Sequence, residues 1–304
     1  MSRLARASMN LPEGVTARPL TDADLDATVA MVHECELRDT GELMLERADL
    51  LADAGADGFD PTADWVGVFD GDRIVGWAMV VQRRRAWVDV HPDLRGSGVG
   101  TWLRTWTEDR ARAVGSDSVG QTIDDRRSDV TAMLTTAGYA SRGTSWILRM
   151  DHEDLPQLSG PPEGIQLRAF LPDDEDDVLS MFERAFSEWP GRQPTPLGSW
   201  RSMVTRREGF ESEDLVLAVA NGRIVGGAFL IDAGEIWIDK LAVDREYRHR
   251  GIARALLQTA FVLSFDRGYA WTSLSTDSTT GALSLYERIG MRIHRSFTQY
   301  GLDL

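Results

Sequence analysis

Two short segments carry the clearest chemical signal in the chain. Arg95-Gly96-Ser97-Gly98-Val99-Gly100 and Arg248-His249-Arg250-Gly251-Ile252-Ala253 lie 153 residues apart and share the frame Arg-x-x-Gly-x-small. Each follows a strand-ending valine, Val90 or Val243, by five residues and opens a predicted helix. A glycine-rich turn at a helix start offers several backbone N–H groups together with the positive end of the helix dipole, which suits an anion and above all a phosphate. Gly98, Gly100, Gly251 and Ala253 are small enough to let a ligand approach the backbone, while Arg95 or Arg248 adds a cation or holds the turn. One such turn reads equally well as a tight strand-to-helix connection without a ligand. Two in matching contexts favour a ligand.

The elements that must hold these loops repeat as well. Gly14-Val15-Thr16-Ala17-Arg18 recurs as Gly164-Ile165-Gln166-Leu167-Arg168, and Arg73-Ile74-Val75-Gly76 as Arg223-Ile224-Val225-Gly226, both at an offset of 150. Each half predicts a short strand, an acidic helix start and an amphipathic helix, then a hairpin turning at Asp70-Gly71-Asp72 or Asn221-Gly222. A long strand then enters the loop, followed by a helix, a strand (residues 118–123 or 271–274), a shorter helix and a final strand pair. This order is α/β, a mixed sheet covered by helices. The expected domains are 1–150 and 165–304, and the linker is 151–164, where Pro156, Gly160, Pro161 and Pro162 break regular structure.

Residues 243–257, together with Leu285-Tyr286-Glu287-Arg288-Ile289-Gly290-Met291, resemble the signature pair of the GCN5-related N-acetyltransferase (GNAT) superfamily. The resemblance covers both halves, so the chain is identified as a tandem member of actinobacterial type. It implies two GNAT-fold domains, each a central mixed, mostly antiparallel sheet flanked by helices, with acetyl-CoA as co-substrate and no metal. The CoA pyrophosphate is then the anion of the loops, held by Arg248, His249, Arg250, Gly251, Ile252 and Ala253. In the first half the corresponding residues are Val90, Arg95, Gly96, Ser97, Gly98, Val99 and Gly100. The pantetheine arm is implied to lie where the fourth and fifth strands part, along Leu241, Ala242 and Val243. There a strand N–H polarises the thioester carbonyl; which N–H does so stays open.

Acyl transfer to an amine needs an ammonium to lose a proton, and the departing thiolate benefits from an acid. Tyr286 stands at the family's tyrosine position, which makes it the candidate acid. For the base, strand alternation puts Glu235, Trp237, Asp239 and Leu241 on one face. Glu235 is favoured narrowly over Asp239, with a water-mediated relay and a plain surface salt bridge both left open. Ser275 and Asp277 are lesser polar candidates. Thr279 stands where the family usually has an asparagine; its hydroxyl still suits a helix cap, and the asparagine's contact to the CoA arm is in doubt.

The first half departs at these positions, with Gln82 opposite Glu235, Ala86 opposite Asp239 and Leu134 opposite Tyr286. It is expected to be a structural or CoA-holding copy, and His91, in the turn before Pro92, is a weak relay candidate. The C-terminal half is expected to be active. Acceptor specificity is expected from residues 186–200 and 297–304, where Glu188, Trp189, Trp200 and Tyr300 suit an amphipathic or aromatic small-molecule amine or else only pack the loop. The tandem arrangement is also similar to that of the mycothiol synthases, whose acceptor is a cysteinyl pseudodisaccharide, although the final segment and Thr279 differ. A non-catalytic acyl-CoA-binding or sensing protein is the reading of another class; the coexistence of Tyr286, Glu235 and Asp239 argues against it.

Composition sets the outer bounds. The net charge of −15 divides into −7 for residues 1–150 and −8 for 151–304, which disfavours nucleic acid as a partner and suits either a cationic ligand or simple solubility. No apolar run reaches membrane-spanning length, and the first residues, with Arg3 and Arg6, lack an apolar signal core, so a cytoplasmic protein is expected. Cys35 is the single cysteine, which excludes an internal disulfide and fits a small buried apolar role. Lys240 is the sole lysine, read as a bias of GC-rich coding rather than as mechanism. The two copies can pair as an internal pseudo-dimer, so a monomer or a homodimer is expected.

Overall fold

The computed structural model describes residues 11–55, 58–154, 159–188 and 194–304. From the N-terminus run β1 (Val15–Arg18), α1 (Leu25–Asp39), α2 (Arg47–Ala54), β2 (Trp65–Asp70), β3 (Arg73–Val81), β4 (Arg85–Val90), α3 (Val99–Ala113), β5 (Ser118–Asp124), α4 (Ser128–Thr136) and β6 (Ala140–Asp151). There follow β7 (Gln166–Ala169), α5 (Glu175–Phe186), α6 (Leu197–Met203), β8 (Leu215–Ala220), β9 (Arg223–Asp232), β10 (Ile236–Val243), α7 (Ile252–Asp266), β11 (Trp271–Asp277), α8 (Leu283–Ile289) and β12 (Arg292–Asp303). Among the described residues no helix is long and apolar enough to cross a membrane.

Two compact units emerge, one ending at Thr144 and completed by Phe297–Leu304, the other Ser145–Ser296. In the first, β1 to β5 lie in chain order and residues 297–303 of β12 pair antiparallel with β5. In the second, residues 145–151 of β6 pair antiparallel with β11, and the sheet continues through β10, β9 and β8 to β7. Among the described residues, only the β4–β5 or β10–β11 pair within each unit is parallel. The sequence division at 1–150, 151–164 and 165–304 follows the repeat. Compactness follows hydrogen-bonded sheets instead, and each sheet takes its last strand from the end of the other half.

Local rules explain the shared elements. Asp24 accepts from the Thr21 N–H at 2.8 Å and from Arg18 at 2.7 Å, and Asp174 accepts from the Leu171 N–H at 2.8 Å and from Arg168 at 2.6 Å. The guanidinium holds each carboxyl well below the usual range, and the charge sits where a helix start favours it. In α5 the buried residues Val178, Met181, Phe182, Ala185 and Phe186 follow helical spacing and form one stripe. The hairpin between β8 and β9 turns at Asn221 and Gly222, both with positive φ (49° and 78°), as its twist requires.

The second unit has a core on each sheet face. Leu256, Leu257, Ala260 and Phe261 of α7 pack with Leu148, Met150, Ile236, Ile238 and Leu274, while Phe182 and Trp200 pack with Leu217, Phe229 and Ala242. Fully buried leucines such as Leu256 and Leu257 each contribute about 1.5–3 kcal/mol relative to exposure. With both faces covered, β8 and β9 are buried along nearly their whole length.

Candidate functional site

The phosphate-type loop has the same backbone in both units. His249 and Gly251 have φ of 63° and 84°, and Gly96 and Gly98 have φ of 77° and 100°. Left-handed residues two apart curl the chain into a concavity of N–H groups, and glycine is the residue that adopts this conformation freely. Gly251 caps α7, whose first helical residues have no preceding turn to accept their N–H groups, and Gly98 does the same for α3. Arg248 holds the turn: its Nε donates to the Val243 carbonyl at 3.1 Å and its Nη1 to Glu188 at 2.7 Å. Arg95 does likewise, with Nε on the Val90 carbonyl at 3.3 Å and both Nη atoms on Asp39 at 2.6 and 2.8 Å. Arg250 lies 5.0 Å from the Tyr247 ring, and Arg254 and Arg288 are exposed.

Beyond the second loop the sheet opens. β10 and β11 pair at Ile236, Trp237 and Ile238 and then no further, so the strands separate from Ile238 and Leu274 onward. A cavity of about 980 Å³ occupies this opening, lined by β10 from Ile238 to Val243, the loop and the start of α7, and residues 274–277 of β11. Thr279, Ala282 and Tyr286 add a further wall, with Ser145 beyond them. The register of β10 against β9 slips between Ile238 and Lys240, which leaves Asp239 as a bulged residue. A bulge leaves its extra residue out of the ladder and bends its strand, in keeping with the opening at this point.

The bulge corrects the strict alternation expected for this strand. Glu235 and Trp237 share a face, but Leu241 lies on the opposite one with Ile236 and Ile238, against the α7 side. Lys240, paired with Phe229, faces the α5 side with Ala242. The two expected base candidates also part company. Asp239 lines the cavity and forms an ion pair with Lys240. Glu235 is not among the lining residues and accepts a hydrogen bond from the Ser273 hydroxyl at 2.6 Å.

Tyr286 lines the cavity from α8 and is 8 % exposed. Burial pushes its phenol up to about 12, so it stays protonated at any physiological pH. Thr279 lines the cavity, but its hydroxyl donates to Asp277 at 2.6 Å instead of capping a helix; α8 follows Ala282 without a side-chain cap, and Thr280 accepts from the Ala282 N–H at 3.2 Å just ahead of it. Ser275 and Asp277 also line the cavity. Of the acceptor candidates, Glu188 reaches it, Trp200 is buried against Phe182 with ring centroids 5.4 Å apart, and Tyr300 packs in the core of the first unit. Trp189 lies outside the described residues. Sequence reading missed Ser145, which comes from the strand before the linker, and Lys240, whose uniqueness was visible.

The first unit differs at each corresponding point. Its β4 runs against β3 without a bulge from Arg85 to Val90, and Leu134, opposite Tyr286, is fully buried core. Arg127, in the position of Thr279, donates to Asp39 at 2.5 Å, and the same carboxylate binds Arg95 of the loop. One aspartate at the end of α1 thus ties the loop to the start of α4. His91 caps its turn by accepting from the Asp93 N–H at 3.2 Å.

Comparison with known proteins agrees with this architecture. The model described as the Acetyltransferase (GNAT) family matches residues 30–135 and 176–291. A GCN5-related N-acetyltransferase from Sphaerobacter thermophilus aligns at TM-score 0.80 with 31% identity over 97% of both chains. A tandem GNAT protein from the clavulanic acid biosynthesis pathway aligns at TM-score 0.72 with 16% identity, covering 95% of this chain and 98% of its own, a likeness of fold. A mycothiol acetyltransferase from Pseudarthrobacter chlorophenolicus is 28% identical over 252 residues, 77% of this chain and 74% of its own. With the family matched in both halves, the chain belongs to the GNAT family of N-acetyltransferases, whose acetyl donor is acetyl-CoA.

Proposed function

We propose that the second unit moves an acetyl group from acetyl-CoA directly to the primary amine of a small molecule. The observation that carries this reading is that one cavity joins the loop at 248–253, the parted strands at the Asp239 bulge, and Tyr286. The donor fits these residues: amides freed by the left-handed turn suit its pyrophosphate, and the exposed Arg254 and Arg288 at the rim suit its phosphates. Acetyl-CoA supplies an acyl carbon activated by a thioester.

The residues of the chain supply the remaining steps. A strand N–H at the bulge stabilises negative charge on the acyl oxygen as it develops. Asp239, directly or through a water, takes the proton that the acceptor ammonium must lose before its nitrogen can attack. Tyr286, kept neutral by burial, donates its proton to the departing sulfur. Glu235, held by Ser273, positions β11 against β10 and takes no part in proton transfer. The unbulged β4, Leu134 and the Asp39 tie support a first unit that scaffolds the protein without performing transfer.

A second reading draws support from the mycothiol acetyltransferases among the relatives: the acceptor is then the cysteinyl pseudodisaccharide that the sequence resemblance implies. The test of both is thiol release from acetyl-CoA over a panel of small amines that includes this compound. Amine-dependent release that falls in Tyr286→Phe supports the proposal. Release that ignores this substitution overturns it.

A further inference from the structure

The one lysine in a chain of 304 residues lines the cavity at the point where the strand bulges. Of 33 lysines and arginines it alone is not arginine. Its ammonium pairs with Asp239 and lies 5.5 Å from the centroid of the Phe229 ring, with both charged side chains partly sheltered, at 24% and 31% exposure. From this placement we infer that the acceptor is a small zwitterionic amine, one that carries an anionic group close to its ammonium, with Lys240 binding the anion and Asp239 the ammonium. The inference rests on the proposed acetyl transfer in this cavity and adds the class of acceptor.

The chemistry of the pair supports this assignment. An ammonium has three donors and a carboxylate four lone-pair positions, so the contact between Lys240 and Asp239 leaves each with capacity for a ligand. Side by side they present a cation and an anion, the complement of an amino acid's own two groups. The position along β10 is also right. Val243 adjoins the phosphate-type loop, and Lys240, three residues further from it, is about 10 Å away at the rise of an extended strand, towards the acyl end. Lys240 faces the α5 side, where Ala185, Phe186 and Glu188 bound the cavity, whereas Leu241 and Val243 face α7. The acceptor therefore enters from the α5 side. A compact ammonium on a flexible stem leaves more room for a ligand there than the broader planar fork of an arginine. A local cation is also needed for an anionic acceptor, because the net charge of the chain is −15 and its field opposes anions.

The test measures kcat/KM for thiol release from acetyl-CoA with an α-, a β- and a γ-amino acid, their methyl esters, and 2-aminoethyl phosphate, each expressed per unprotonated amine. At least one free acid is expected to exceed its methyl ester, or the phosphate to exceed every ester, by about 10- to 100-fold, the worth of one charge-assisted hydrogen bond; the acid and phosphate arms identify the anion. Lys240→Met should collapse that ratio towards one, chiefly through KM, and Lys240→Arg should restore part of it. Equal use of acids, phosphate and esters overturns the zwitterion assignment while leaving acetyl transfer standing, and so does a ratio unchanged in Lys240→Met. If no amine in this panel or the wider one is turned over, both the assignment and the transfer reading fall.

Discussion

Gly98 and Gly251 offer a matched pair of perturbations that separates a scaffold loop from a working one. Both are left-handed helix caps, at φ of 100° and 84°. A Cβ at Gly98 meets nothing within 4 Å, and at Gly251 its nearest neighbour is Pro162 Cγ at 3.6 Å, so alanine is not crowded at either position. The remaining cost is conformational, about 1 kcal/mol for an L-residue held in this region, or roughly a 2–4 °C loss in Tm. Gly98→Ala and Gly251→Ala should therefore destabilise the protein similarly. Their effects on the donor should differ. On the proposed seat for the pyrophosphate, Gly251→Ala adds a methyl beside the loop amides, and loss of one charge-assisted N–H contact is expected to lower acetyl-CoA affinity by about 10- to 100-fold. Gly98→Ala should leave affinity and amine-dependent thiol release close to wild type. Thermal denaturation beside calorimetric titration with acetyl-CoA reads both quantities. Gly98→Ala impairing transfer as much as Gly251→Ala, or Gly251→Ala leaving affinity untouched, would refute the assignment of chemistry to the second unit.

Other outcomes follow from the same geometry. Tyr286→Phe should lower kcat by about 10²-fold or more, within the range for a lost general acid, and leave acetyl-CoA affinity unaltered in the same titration. Because burial raises the Tyr286 phenol to about 12, wild-type kcat should show no alkaline decline below about pH 10, the ordinary tyrosine value; a limb near pH 8 that vanishes in Tyr286→Phe would contradict this role. Asp39→Asn should destabilise the first unit by on the order of 2 kcal/mol, since a carboxylate shared by two guanidinium groups is lost, while thiol release at 25 °C persists. Asp174 is held below its ordinary range by Arg168, so its contribution is complete above the unfolded value, about pH 4, and fades as pH falls through the lower folded value. In Asp174→Asn the dependence of Tm on pH below about 4 should flatten, and an unchanged slope would show that this pair does not link proton binding to folding.

Much of this fold is legible in the sequence because its signals are local. The repeated Arg-x-x-Gly-x-small frame, the Asn221-Gly222 turn and the helical spacing of Val178, Met181, Phe182, Ala185 and Phe186 each report a nearby backbone requirement. The site residues contributed by one loop or one helix were legible for the same reason. What escaped was non-local. Nothing in the pattern of residues 145–151 or 297–303 says which sheet completes itself with them, since a strand's alternation records a buried face and not the identity of its partner. The bulge at Asp239 was hidden as well, because one extra residue changes the faces of all that follow while leaving composition intact. It moved Leu241 away from Trp237 and brought Lys240 to the α5 side. The separation of Asp239 from Glu235 likewise depends on Ser273, a residue of the neighbouring strand. Lys240 was visible as the only lysine, yet its meaning required knowing that it lines the cavity.

The most direct test of the central claim is a crystal structure of the protein with acetyl-CoA. The expected map shows the diphosphate on the amides of residues 249–253, the pantetheine arm between β10 and β11, and the thioester sulfur beside the Tyr286 hydroxyl. A donor seated instead on the loop at 96–100, or a sulfur remote from Tyr286, would contradict it.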